Sequence, residues 1–155
     1  MNIRLLEIEE PKFPYKFRQS KDAYEAVKDY GKADREVFLV LLLSSQSQML
    51  ACEPLTAGTV DSASVFPREV LRAAIIHNAS AVILVHNHPS GDVTPSRADR
   101  NITSQIMLVC EAASIRVLDH IIIGRDKFLS MADSGEIEAQ QLIVKAMLDS
   151  LEVSG

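Results

Sequence analysis

The sequence predicts an α/β fold, a sandwich in which helices flank a mixed and curled β-sheet. Two observations carry that reading. Glu36–Leu43 and Ala81–Val85 are continuous apolar runs of strand length, the pattern of strands buried on both faces. Helical spacing of apolar residues appears between and after them, in stretches opened by Pro67 and by Ser96. A chain of 155 residues is of single-domain length and can bury about two-thirds of its unfolded surface.

The elements follow in order. Residues 1–19 form an irregular arm, because Pro11 and Pro14 break any long element; a short strand is expected at Asn2–Ile8. Ser20 caps a helix to about Tyr30, with Ala23, Val27 and Tyr30 inward, and Gly31 ends it. Glu36–Leu43 is the first strand. A polar turn at Ser44–Ser47 returns it as Gln48–Ala57, an antiparallel hairpin. Gly58–Thr59 and Asp61–Ser62 mark an irregular link. The helix from Pro67 to about Asn78 buries Val70, Leu71, Ala74 and Ile75. The Ala81–Val85 strand comes next, then a helix from Ser96 to about Ala113 with Ile102, Ile106, Val109 and Cys110 at helical spacing. Arg116–Ile123 is a strand, and Gly124–Lys127 turns it into Phe128–Met131. Glu136–Leu151 is a last amphipathic helix with Leu142, Ile143, Ala146 and Met147 inward. The domain core thus runs over residues 20–132, with the helix of residues 133–155 packed on it.

Composition excludes several classes of function. The net charge of −5 disfavours a broad nucleic-acid surface, which needs a basic face. Cys52 and Cys110 are too few for a disulfide scaffold and read as small buried hydrophobes. No Cys-x-x-Cys pair, no secretory h-region and no membrane-length apolar run is present, so the cytoplasm is the expected compartment.

The chemistry gathers at His86–Asn87–His88–Pro89–Ser90–Gly91–Asp92. Residues two apart on a strand share a face, so His86 and His88 project together and Asn87 points away. Pro89 ends the ladder. Ser96 and Asp99 have capping-box spacing at the next helix start. Two imidazoles and one carboxylate would then converge, leaving one position for water, as in catalytic zinc sites. Each residue alone has a plain structural explanation; strand parity, loop length and helix start together do not. Asn87 and Ser90 shape the loop, and Asp92 is a turn residue. His120, beside Asp119 within a strand, suits a structural or supporting role better than ligation. His77, near a helix end, is assigned no function. Arg68, Arg72, Arg97 and Arg100 read as solvated helix faces.

The pattern His-x-His-Pro-x6-Ser-x2-Asp resembles the JAMM motif of the JAB/MPN-domain metalloproteases, and His86, His88, Pro89, Ser96 and Asp99 fall on it. The longer string through Asp99 looks like the RadC branch of that family. Gly58–Thr59–Val60–Asp61, Pro67–Arg68–Glu69–Val70 and Leu118–Asp119–His120–Ile121–Ile122–Ile123–Gly124 look like it too, so the resemblance covers roughly Ser20 to Met131. It implies a JAB/MPN-like, cytidine-deaminase-like sandwich. It implies Zn²⁺ held by His86, His88 and Asp99, and a glutamate that carries the proton, a place Glu36 occupies here. Glu53 and Asp61 are weaker rivals. It implies that Ser96 donates to the oxyanion as well as capping its helix.

The leading expectation is a zinc-dependent peptidase or isopeptidase acting on a peptide or protein substrate. The alternatives are a DNA-repair-associated nucleic-acid-binding protein and a scaffold with a structural metal site. RadC proteins carry a DNA-repair name, and many have a helix-hairpin-helix segment ahead of this domain. Only an irregular arm precedes it here, which with the acidic balance disfavours DNA. Zinc nucleobase deaminases are disfavoured too, since they need His-x-Glu and Pro-Cys-x-x-Cys. A homodimer is a further expectation, with no surface assigned to it.

Overall fold

The computed structural model describes residues 16–57 and 65–152. Helix α1 spans Ser20–Val27 and runs into a 3₁₀ turn, Lys28–Lys32. Strands β1 (Val37–Leu43) and β2 (Met49–Ala57) follow, then α2 (Pro67–Ile76), β3 (Ala81–Asn87), α3 (Arg97–Ala112), β4 (Arg116–Ile123), β5 (Phe128–Ser130) and α4 (Glu136–Asp149). The expected strand at Asn2–Ile8, the Gly58–Ser62 link and Asp61 lie outside the described residues. Among those residues, no helix is long and apolar enough to cross a membrane.

The sheet is mixed and open, in the order β2-β1-β3-β4-β5. Its pairings are antiparallel except β3–β4, which are parallel because α3 crosses between them. β1 and β3 are central and buried along their whole length, as continuous apolar runs require. Alternate side chains divide the core. Phe38, Val40, Leu42, Val82 and Leu84 meet α2, α3 and α4 on one face. Leu39, Leu41, Leu43, Ile83 and Val85 meet α1 on the other. Each fully buried leucine of β1 stabilises the fold by roughly 2 kcal/mol.

Several local expectations are corrected. Gln19, not Ser20, is the N-cap of α1, and the Asp22 carboxylate accepts from the Gln19 and Arg18 amides. Ser20 instead donates to Asp133 at 2.5 Å, tying α1 to the turn before α4. Gly31 does not stop the chain's helical path, which continues to Lys32. In α2, Ala73 is buried and Ile75 is 64% exposed. Cys52 is only half-buried. The inner face of α4 is Ile137 and Val144; Leu142, Ile143, Ala146 and Met147 are exposed, Leu142 by 67%. This helix packs on the outer edge of α3 and β4, where a narrow stripe suffices. Leu148 packs partly against the same core.

Glycine is needed at two close approaches. A Cβ on Gly31 would lie 2.2 Å from the Gly124 carbonyl oxygen, and one on Gly124 would lie 2.9 Å from that of Gly91. The turn after α1, the β4–β5 turn and the loop after β3 therefore stack backbone on backbone. Gly31→Ala forces the first pair apart, and a loss of roughly 2–3 kcal/mol in denaturant unfolding is expected. An unchanged midpoint would contradict this contact.

Candidate metal centre

The site lies at the carboxyl end of central β3. His86 is the penultimate residue of β3 and His88 follows its last, so both rings leave the same side. The His88 amide still donates to the Ile123 carbonyl at 2.9 Å, so the loop begins under restraint from β4. Gly91 takes φ +86, and the Asp92 carboxylate accepts from the Thr94 amide at 2.9 Å, the turn role expected of it. This returns the chain to α3, where Ser96 and Asp99 form a reciprocal capping box. Asp99 N donates to Ser96 Oγ at 3.0 Å, and Ser96 N donates to Asp99 Oδ2 at 2.7 Å.

The cap turns Asp99 inward. Its side chain is buried, with Oδ1 3.1 Å from His86 Nε2 and Oδ2 3.2 Å from His88 Nε2. One ligand atom from each residue lies within 4.8 Å of the others. The structure thus brings together the three residues the motif singles out. Although close to Asp99, His86 Nε2 is buried and makes no hydrogen bond of acceptable geometry. Atoms that converge without aligning on each other are what a third, central atom would explain. Ligands about 2.0–2.1 Å from a tetrahedral ion stand on the order of 3.3 Å apart, near the two separations found.

The ring protons can be assigned from the neighbours. Thr103 Oγ1 lies 2.6 Å from the Asp99 carbonyl oxygen and 2.6 Å from His120 Nδ1. The carbonyl can only accept, so Thr103 donates there, and His120 Nδ1 must donate to Thr103. His120 is fully buried, and burial pushes it down to about 3, so it is neutral. Its Nε2, 3.0 Å from His86 Nδ1, is then an acceptor, and His86 donates to it. His88 Nδ1 faces the Asp92 carbonyl oxygen at 2.6 Å and donates likewise. In the neutral rings each Nε2 then carries the lone pair, on the side turned toward the Asp99 carboxylate. Metal-ligating histidines are characteristically held this way by their other nitrogen.

Three electron-pair donors around one point repel unless a proton or a metal cation sits among them. Burial pushes the Asp99 carboxyl up, but the His86 and His88 rings more than reverse this and hold it well below its ordinary value. In the absence of metal, His88 is raised, first by its contact with Asp99, against burial, and further by the charge of Glu36. The nearness of Glu36 is independent of its place in the motif. Its Oε2 is buried and has no hydrogen-bond partner.

The remaining candidates fall elsewhere. Ser96 is exposed, and its hydroxyl accepts from Asp99, which leaves its own proton to give. Glu53 faces Arg72 and His77, at 3.3 and 3.4 Å, so it is no rival to Glu36. Asp119 is enclosed by donors from His120, Ser130 and Ala132 and braces the turn after β5. Arg72 and Arg100 are paired with glutamates, in keeping with ordinary helix faces. Burial pushes the Cys110 thiol up to about 11, which makes it inert. Sequence reasoning missed Thr103, one turn after Asp99 on the buried face of α3; that spacing was its only signal.

A family model described as "RadC-like JAB domain" matches residues 17–136. The chain is similar to a UPF0758 protein of Leptothrix cholodnii, with 46% identity over 74% of this chain and 54% of that protein. It is 49% identical to the UPF0758 protein YeeS of Escherichia coli, over 66% of this chain and 69% of YeeS. A UPF0758 protein of Aeromonas salmonicida is 50% identical over 72% of this chain and 51% of its own length. The chain spans about half the length of most of the curated relatives it matches.

The buried neutral imidazole has a consequence for stability. His120 falls from its ordinary 6.5 to about 3 in the folded chain. As pH drops below 6.5 the unfolded chain takes up this proton and the folded chain does not, so stability falls, on the order of 1 kcal/mol per pH unit. The raised His88 acts only above 6.5, with the opposite sign. Chelator-treated protein should therefore lose stability from pH 6.5 to about 5, and His120→Asn should flatten that slope. Equal slopes in the two proteins would refute the neutral, buried imidazole.

Proposed function

The chain belongs to the RadC-like JAB domain family, and from that premise we propose that it is a zinc-dependent hydrolase of amide bonds, a peptidase or isopeptidase. The observation that carries this reading is the meeting of two imidazole Nε2 atoms with one buried carboxylate, one of those nitrogens having no hydrogen-bond partner. Nitrogen and oxygen donors of this kind, three in number with one position open, suit zinc used for catalysis. His86, His88 and Asp99 would hold the ion, which when bound lowers the pKa of water toward about 7 and polarises a carbonyl.

The chain's own residues supply the rest. Glu36 presents a buried carboxylate oxygen with no competing donor, so it is free to take a proton from the attacking water. The same group then returns that proton to the leaving amine. Ser96 keeps its hydroxyl proton because its oxygen already accepts from Asp99, and that proton is available to the developing oxyanion. His88, fixed through the Asp92 carbonyl, and His86, fixed through His120, keep the donor set in place. The substrate is taken to be a peptide or protein. The net charge of −5 gives no support to a DNA-binding reading.

Protein purified without added metal should carry about one equivalent of zinc, and His88→Ala should carry almost none. Glu36→Gln should keep the zinc and lose turnover of a fluorogenic peptide library by about 10²- to 10⁴-fold. Cleavage by Glu36→Gln at the parent rate would overturn the assignment of the base.

A further inference from the structure

Asn87 lies between the two ligand histidines, only 1% exposed, with its side chain turned away from them. Its Oδ1 accepts from the Val37 amide at 2.7 Å, and its Nδ2 donates to the Arg35 carbonyl at 2.9 Å. These are the two peptide groups that flank Glu36. The orientation of the carboxamide is fixed, since only nitrogen can meet a carbonyl and only oxygen can meet an N–H.

The β1–β3 ladder ends at the Phe38–His86 pair, so no strand partner from β3 holds the chain at Glu36. The Asn87 side chain takes over there, offering one donor and one acceptor as a neighbouring strand would. Phe38 stacks on His86, with ring centroids 5.9 Å apart, and Glu36 lies two residues before it, just ahead of β1. Glu36 Oε2 has no partner of its own, so the aim of the carboxylate is inherited from its backbone.

We propose that Asn87 is a positioning residue: by gripping the peptides on both sides of Glu36, it aims that carboxylate at the His86–His88–Asp99 site. The proposal rests on the reading of Glu36 as the proton carrier. It links the loop that supplies the histidines to the strand that supplies the base, through one side chain. Aspartate in its place keeps the acceptor but sets a carboxylate oxygen against the Arg35 carbonyl. Serine is too short to span both peptides.

The test uses Asn87→Ser, with Asn87→Asp as the second variant should serine destabilise the fold. In the zinc-loaded full chain, the Val37 amide of the variant should exchange at least about tenfold faster, while Val40–Leu42 stay protected and zinc affinity stays near the parent's. With Co²⁺ in place of zinc, the ¹³C carboxyl signal of Glu36 should be strongly broadened in the parent and should sharpen in the variant. On a fluorogenic peptide library, kcat should fall about 10- to 100-fold with KM little changed. In the Glu36→Gln background the same substitution should cost nothing more, because residues acting through one group are not additive. Unchanged Val37 protection, unchanged Glu36 broadening, or an equal loss with and without Glu36 would overturn the proposal. A parent that cleaves nothing would count against the hydrolase reading alone; the exchange and cobalt measurements then decide the role of Asn87.

Discussion

The constraint on which the rest depends is electrostatic. Two imidazole nitrogens and a carboxylate converge on one largely buried point, and only positive charge between them, a proton or a metal, makes that arrangement stable. A fold meets this requirement at a modest cost when each donor is already committed elsewhere. Asp99 is committed as the acid of a capping box, so its carboxylate would be ordered even without a metal. His88 is committed to a carbonyl of its own loop. His86 is committed to a second imidazole.

The supporting bonds close on themselves. The Asp99 carbonyl accepts from Thr103, Thr103 from His120, and His120 from His86, whose free nitrogen returns to the Asp99 carboxylate. The first turn of α3, the middle of β4 and the end of β3 therefore determine one another's orientation. Phe38 packs against both His86 and His120 and shields the circuit from the side of β1. A polar network inside an apolar core is stable only when every member has a partner, and here the one atom without a partner is the one that would meet the ion.

Much of this was legible in the sequence because it depends on local periods. Strand parity put His86 and His88 on one face, and the Ser96–Asp99 spacing put a carboxylate at the mouth of the next helix. The two central strands followed from apolar runs of strand length, and β2 and β5 from the turns that precede them. What was not legible depends on pairing between distant strands. His120 reaches His86 because β4 runs parallel to β3 with a register shift between Val82 and Ile83, which composition does not encode. Glu36 came from family resemblance, and its neighbourhood with His88 needs β1 beside β3. The face of α4 was misread because periodicity reports an apolar stripe but not whether a neighbour covers it; Ile137 and Val144 do the packing there.

The bare-backbone stack of Gly31, Gly124 and Gly91 bears on how His88 is carried. The segment after β3 leans on one turn, and that turn leans on another belonging to the opposite layer. Backbone in contact with backbone leaves little slack on that side, so the place of this histidine is set by the fold itself and not by whatever the site holds.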